Sequence, residues 1–323
     1  MSAAPPLSWA SPPSPTGEQY ELRLGDQTAV VTEVGAALRL YTVGGRDVVM
    51  PFGVDEPSPA VHGGVLVPWP NRIRDGRYTF DGVEYRLALT EPERHNAIHG
   101  LGSYARWQCL EHTRRSVTLR LDIVPQPGYP FSVRVDLRYE LGEGGLTVTA
   151  RATNLGATAA PYGIGFHPWL SPGAHRIDDC TVQVDAAAWV RSDERLLPLE
   201  EVADIPGDLD FRAPRPLGAT MLDDAYVASY VAHAETPDDR SRVRSWVRMI
   251  DPDDIEVACW LEEGLRCWQL CTGDGMPGAR ARGGLAAEPL SCTADAFNTG
   301  RRLTRLEPGR SHTARYGLTL TRH

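Results

Sequence analysis

Phe131-Ser132-Val133-Arg134-Val135-Asp136-Leu137-Arg138-Tyr139-Glu140-Leu141, then Gly142-Glu143-Gly144-Gly145, then Leu146-Thr147-Val148-Thr149-Ala150-Arg151-Ala152-Thr153, reads as a strand, a turn and a returning strand. Val133, Val135, Leu137, Tyr139 and Leu141 recur at every second position, and Leu146, Val148, Ala150 and Ala152 repeat the pattern after the glycines. A period of two sends alternate side chains to opposite faces of a sheet, so both segments are expected to be half-buried antiparallel strands.

The same reading extends in both directions. Tyr78 to Phe80 and Val83 to Leu87 flank Asp81-Gly82, a dipeptide that supplies the positive φ of a tight hairpin turn. Val117 to Val124 alternates, and further strands are expected at Gln27 to Val34, Ala37 to Val43, Arg244 to Ile250, Ile255 to Leu261, Cys267 to Cys271 and Thr313 to Thr321. No convincing amphipathic helix exceeds about two turns. Strand-helix alternation and fixed-period repeats are absent, so the expected class is all-β, a large antiparallel sandwich with few short helices. Pro51 to Pro70, Pro125 to Pro130, Pro206 to Pro216 and Gly273 to Gly284 read as long loops, where a sandwich builds sites. The strand pattern resumes after Pro216 without a change of composition, so residues 17–323 are expected to form one domain.

The 323 residues are 42% hydrophobic and 23% charged, and the net charge of -9 with no basic cluster argues against nucleic acid. All 33 cationic side chains are arginine. With no lysine, Schiff-base, lysine-bound pyridoxal and P-loop chemistry are excluded. The 6 cysteines are scattered without a C-x-x-C pair, which suggests reduced, mostly buried thiols. Residues 1–16, rich in Pro, Ser and Ala, lack the basic and apolar regions of a signal peptide and are expected to be disordered. No run approaches the ~18 apolar residues a spanning helix needs. The expectation is a cytoplasmic protein with no membrane partner, either monomer or homodimer.

Five short segments carry the chemistry, each in a turn-like setting: Asn71-Arg72-Ile73, Asn96-Ala97-Ile98-His99-Gly100, Gly165-Phe166-His167-Pro168-Trp169, Leu222-Asp223-Asp224-Ala225-Tyr226 and Ala287-Glu288-Pro289. Histidine and carboxylate side chains can exchange protons near neutral pH when burial tunes them. Arg72 offers a rigid fork of donors to adjacent hydroxyls, and Asp223 or Asp224 accepts from vicinal ones. Trp69, Trp169 and Trp268 are candidates for an aromatic platform under a sugar, each also suited to the core.

The five segments, in this order on an all-β pattern from about Gly35 to Leu320, resemble the aldose 1-epimerase (galactose mutarotase-like) family. The resemblance implies a twisted β-supersandwich and a cofactor-independent isomerase whose partner is a small sugar. The α and β anomers of a free aldose such as glucose or galactose would interconvert by ring opening and closure. It further implies Glu288 as base, taking the O1 proton, and His167 as acid, protonating O5, one on each side of the sugar. His99, Arg72, Asp223, Asn71 and Trp169 would hold the ring. Trp169 and Leu290 stand where many members carry tyrosine and a polar residue. A hexose 6-phosphate would call for extra cations, with Arg74, Arg77 and Arg106 as candidates. Three other readings fit less well. A glycoside hydrolase built on Glu288 with Asp223 or Asp224 leaves the histidines without a role. A non-catalytic sugar-binding module does not need Glu288 and His167 together. A metal centre of His99, His167 and Glu288 lacks two histidines close together in one strand-turn segment, so no metal is expected.

Overall fold

The computed structural model describes residues 14–232, 243–262 and 264–323. Residues 1–13 of the N-terminal segment expected to be disordered lie outside these, whereas Thr16 is buried and donates to Val54 O at 2.7 Å.

The hairpin around Glu143-Gly144 forms as read, with strands Val133–Gly142 and Gly145–Asn154 pairing antiparallel from Gly142↔Gly145 to Val133↔Asn154. It lies inside a ten-stranded antiparallel sheet. The order is Gln108–His112, Ser116–Ile123, the two hairpin strands, Ser311–Arg322, Ile255–Leu261, Val243–Ile250, Thr181–Val184 and Arg215–Pro216, with Val231–Ala232 alongside Val243–Ile250. An eight-stranded sheet runs Pro198–Val202, Ala186–Ser192, Asp223–Ala228, Cys267–Cys271, Leu285–Leu290, Gly165–Phe166 and Val65–Leu66, with Trp169–Leu170 also on Leu285–Leu290. Gln19–Leu24, Gln27–Thr32, Leu38–Val43 and Arg46–Asp47 make a four-stranded sheet. Asp81 and Gly82 both take positive φ (50° and 78°) between Arg77–Phe80 and Val83–Arg86, as the hairpin required. Helix among the described residues is limited to Ala296–Thr299 and four 3-10 turns.

The two large sheets share one core. Leu137, Val148, Cys259 and Tyr316 from the first pack in the same cluster as Phe166, Trp268, Leu270 and Ala287 from the second. Phe166 and Tyr316 lie 4.5 Å apart, and Trp268 Nε1 donates to Ser245 Oγ across the gap at 2.9 Å. None of the six cysteines is paired and four are buried, in keeping with reduced thiols. Trp69 and Trp268 are core residues, 3% and 0% exposed, and are not platforms for a ligand.

The eight-stranded sheet departs most from the sequence reading. Cys267–Cys271 was anticipated; Asp223–Ala228, Ala186–Ser192, Pro198–Val202 and Leu285–Leu290 were not. Leu285–Leu290 is buried at all six positions, so it shows no alternation, and Pro289 within it argues against a strand on sequence grounds. The proline fits because its partner changes there. Ala287 N–H donates to Pro168 O and Ser291 N–H to Ile164 O. Position 289 points to the same side between them, at the break separating Gly165–Phe166 from Trp169–Leu170. Proline has no N–H to leave unpaired in that gap. The gap is where His167 departs from the sheet, its backbone held instead by Gly63 and Gly64.

Candidate active site

Along three neighbouring strands, Tyr226, Trp268, Leu270 and Ala287 point into the core between the sheets. The alternate residues Asp223, Gln269, Cys271 and Glu288 face the other way, onto a cavity of about 620 Å³. Strand register therefore sets the site, with Gln269 opposite Glu288 and Asp223 opposite Cys271. Glu288 and Asp223 thus sit on strands, not in the turns read from sequence. Asn71 and His99 do occupy turns, with φ of 54° and 62°, and His99 N–H donates to Asn71 O at 3.0 Å. Gly100 follows at φ 70°, where a Cβ would lie 2.1 Å from Val67 O, so only glycine lets the loop pass this close.

All seven anticipated residues line this one cavity: Asn71, Arg72, His99, His167, Trp169, Asp223 and Glu288. Glu288 and His167 are deep in it, 3% and 6% exposed, whereas Met221 at its mouth is 67% exposed. His167 Nε2 stands 3.4 Å from Glu288 Oε1. The carboxyl and the imidazole are thus side by side in this structure. His167 Nδ1, Glu288 Oε2 and His99 Nδ1 are buried with no hydrogen-bond partner among the described residues. Three such atoms stand together in this cavity wall, where buried polar groups are ordinarily bonded. The His99 ring meets His167 edge-on at 5.4 Å.

Burial dominates the protonation of this group. It holds the Glu288 carboxyl well above the usual carboxylate range, with Asp223 adding and Arg72 opposing. It pushes the His167 imidazole well below its ordinary value, helped by His99 and His62, and His99 down to about 3, helped by Arg72. Burial thus disfavours the charged form of each group, and at 3.4 Å the two titrate as a coupled pair.

Two residues that the sequence reading missed organise the rest. Gln269 accepts from Asn71 Nδ2 at 3.1 Å and donates to Asp223 Oδ1 at 2.7 Å. Glu91 grips Arg72 with both carboxylate oxygens, Nε to Oε2 and Nη2 to Oε1 each at 2.9 Å. A polar residue between Trp268 and Leu270 in a strand facing the core was a signal for Gln269. Glu91 carried none. Of the neighbouring aspartates, Asp223 faces the cavity, while Asp224 accepts from Trp189 Nε1 at 2.7 Å.

Trp169 stacks on His62 at 4.6 Å and 14°, and lies parallel to His167 at 5.7 Å and 10°. Its indole is 2% exposed and engaged by two imidazoles, so it walls the cavity and does not present an open face. Leu290 is buried with Leu66 and Cys267, away from the lining. Arg74, Arg77 and Arg106 also lie outside the lining, Arg74 near Asp193 and Asp295 and Arg106 paired with Glu33 at 2.6 Å. His175, Asp251 and Asp253 could gather around a metal ion, but none of them lines this cavity, and Asp251 is already paired with Arg46 at 2.5 Å. Among the described residues no helix is long and apolar enough to cross a membrane.

Comparison with known proteins agrees with this geometry. A family model described as aldose 1-epimerase matches residues 18–319. The uncharacterized protein YihR of Escherichia coli (strain K12) is 34% identical over 300 residues, covering 92% of this chain and 91% of that protein. The galactose mutarotase of Sus scrofa is 28% identical over 217 residues, 63% of each chain. Among solved structures, the GalM/aldose epimerase homologue from C. elegans superposes with a TM-score of 0.81 at 20% identity, covering 94% of this chain and 99% of that one. Galactose 1-epimerase from Lactobacillus acidophilus NCFM does so at 0.77 and 16%, covering 94% of each. At those identities the structures establish the fold, and the sequence match over nearly the whole length establishes more. The chain belongs to the aldose 1-epimerase family, a family of isomerases.

Proposed function

We propose that this protein interconverts the α and β anomers of a free aldose, such as glucose or galactose, by acid/base ring opening and closure without a cofactor. The observation that carries the reading is the Glu288–His167 pair, 3.4 Å apart at the base of the cavity with its remaining polar atoms unpaired. O1 and O5 of a cyclic aldose are bonded to the same carbon, so two groups side by side can reach both. With the pair's proton on His167, the ionised Glu288 takes the O1 proton while the imidazolium gives its own to O5. The aldehyde turns about C1–C2, and the transfers reverse as the ring closes. One shared proton suffices, because every proton given is matched by one received. Arg72, Asn71 and Asp223 hold the hydroxyls, His99 approaches O5, and Trp169 fixes the plane of His167. The galactose mutarotases among the relatives favour a free hexose. The hexose 6-phosphate reading loses the three arginines offered for it, which lie elsewhere.

Polarimetry tests this directly. Freshly dissolved α-D-glucose and α-D-galactose should reach anomeric equilibrium faster with the protein than in a weakly catalysing buffer. No acceleration for any aldose, with exchange NMR on hexose 6-phosphates equally silent, would overturn the proposal in favour of a non-catalytic sugar-binding protein.

A further inference from the structure

Glu91 has no place in the scheme above, yet it is among the most firmly held side chains of the cavity wall. It is 6% exposed. Besides its double grip on Arg72, it accepts from Asn96 Nδ2 at 2.9 Å and Arg94 Nη1 at 3.1 Å. Its backbone exchanges both hydrogen bonds with Asn96, at 3.0 and 3.1 Å. Asn96 Nδ2 is braced in turn by Arg195 O at 3.2 Å. A buried ion pair gains little over an apolar one because both charges are stripped of water, so stability alone is a weak reason for it.

The hydrogen-bond arithmetic of Arg72 gives a better reason. Its guanidinium carries five N–H groups. Glu91 takes those on Nε and one on Nη2, and Asn71 Oδ1 takes one on Nη1 at 3.3 Å. The N–H left on Nη2 is on the side of Asp223, whose Oδ2 lies 3.7 Å away, and one N–H remains on Nη1 for a sugar oxygen. The grip also acts on charge. The groups facing Glu288 are His167, His99 across the ring pair, Arg72, Asp223 and the Cys271 thiol. Arg72 is the only full positive charge among these. Left unpaired, it would attract the ionised form of Glu288 and repel protons from both histidines.

From this geometry we infer that Glu91 is a positioning residue acting through Arg72: it fixes the guanidinium in the cavity wall with an Nη1 N–H toward the sugar and, together with Asp223, offsets its charge, thereby setting the pH range over which the Glu288–His167 pair works. The inference rests on the proposed acid/base reading but has a readout independent of catalysis. The Glu288 carboxyl is followed by 13C NMR of the full chain labelled at glutamate side chains, its signal assigned by loss in Glu288→Gln. Glu91→Gln removes a negative charge, so the Glu288 titration should fall by about one pH unit. Arg94→Gln frees Glu91 from a partly exposed partner without touching the Arg72 grip, so the titration should move up by a smaller step. It also covers the case in which Glu91→Gln does not fold. In the mutarotation profile both limbs should move with the titration, and KM of Glu91→Gln should rise more than kcat falls. A folded Glu91→Gln or Arg94→Gln variant with the wild-type titration overturns the inference, whatever its KM. Titrations that shift as expected in a protein that accelerates no sugar support the inference and overturn the acid/base reading instead.

Discussion

Gln269 Oε1 accepts from Asn71, and Gln269 Nε2 donates to Asp223 at 2.7 Å, so one amide joins a turn residue to a strand residue 152 positions away in the sequence (223 − 71). Gln269→Leu removes both bonds and leaves the buried Asn71 amide unpaired, a loss of about 1 to 3 kcal/mol. The expected result is a KM for aldose at least ~10-fold higher, with kcat within a few-fold of wild type. Steady-state polarimetry at several sugar concentrations separates the two. An unchanged KM would show that the bridge does not position the hydroxyl-binding groups.

Glu288→Gln and His167→Asn should each lower kcat by at least ~10²-fold, the usual worth of a positioned acid or base. Both should leave the fold intact, since glutamine has the shape of the Glu288 side chain and asparagine is smaller than the His167 ring. Circular dichroism alongside the rate measurement checks this. Wild-type turnover in either variant would refute the role of the pair.

The two aspartates should separate cleanly. Asp223→Ala raises KM because its carboxylate faces the sugar cavity. Asp224→Ala instead leaves Trp189 Nε1 without its acceptor and costs about 1 to 2 kcal/mol of stability. Urea unfolding and KM for the two variants read this out, and a reversed pattern would exchange their roles.

His62 gives a pH signature of stability. Burial holds its imidazole down to about 4, against an ordinary value of 6.5. As pH falls below about 6.5 the unfolded chain binds the proton first, so stability is lost down to about 4 and levels off below. The slope is roughly 1.4 kcal/mol per pH unit for one such group. His62→Phe keeps a ring on Trp169 and removes the proton site. Its unfolding free energy should therefore drop less than that of wild type between about pH 7 and about pH 5. Equal drops would mean that His62 is protonated in the folded protein.

Legibility in the sequence followed burial. Val133–Gly142 and Gly145–Asn154 alternate because one face is wet, and they were readable almost to the residue. Leu285–Leu290, covered on both faces, offered no period, and its proline pointed away from a strand. Glu288 was thus found through its neighbours in sequence, while the strand that holds it was not. His167, His99, Asn71, Arg72, Asp223 and Trp169 were recognisable in short segments, and all converge on one cavity. Glu91 and Gln269 were invisible for a different reason: each matters through a partner far along the chain. Arg72 is 19 positions from Glu91, and Asn71 is 198 from Gln269. Residue type alone cannot announce a contact made only by folding. The 3.4 Å between His167 and Glu288 was not legible either, because a sequence carries no distances.

The division of labour between strands and loops has a consequence for redesign. Asp223, Gln269 and Glu288 ride on adjacent rungs of one sheet, while the entrance is edged by Val61, Glu93, Met221 and Met276 from four separate connecting segments. Swapping or lengthening those segments would reshape what enters without disturbing the rungs. The scaffold is therefore a natural chassis for retargeting: a library confined to the rim would vary what enters while every member keeps the floor that carries Asp223, Gln269 and Glu288.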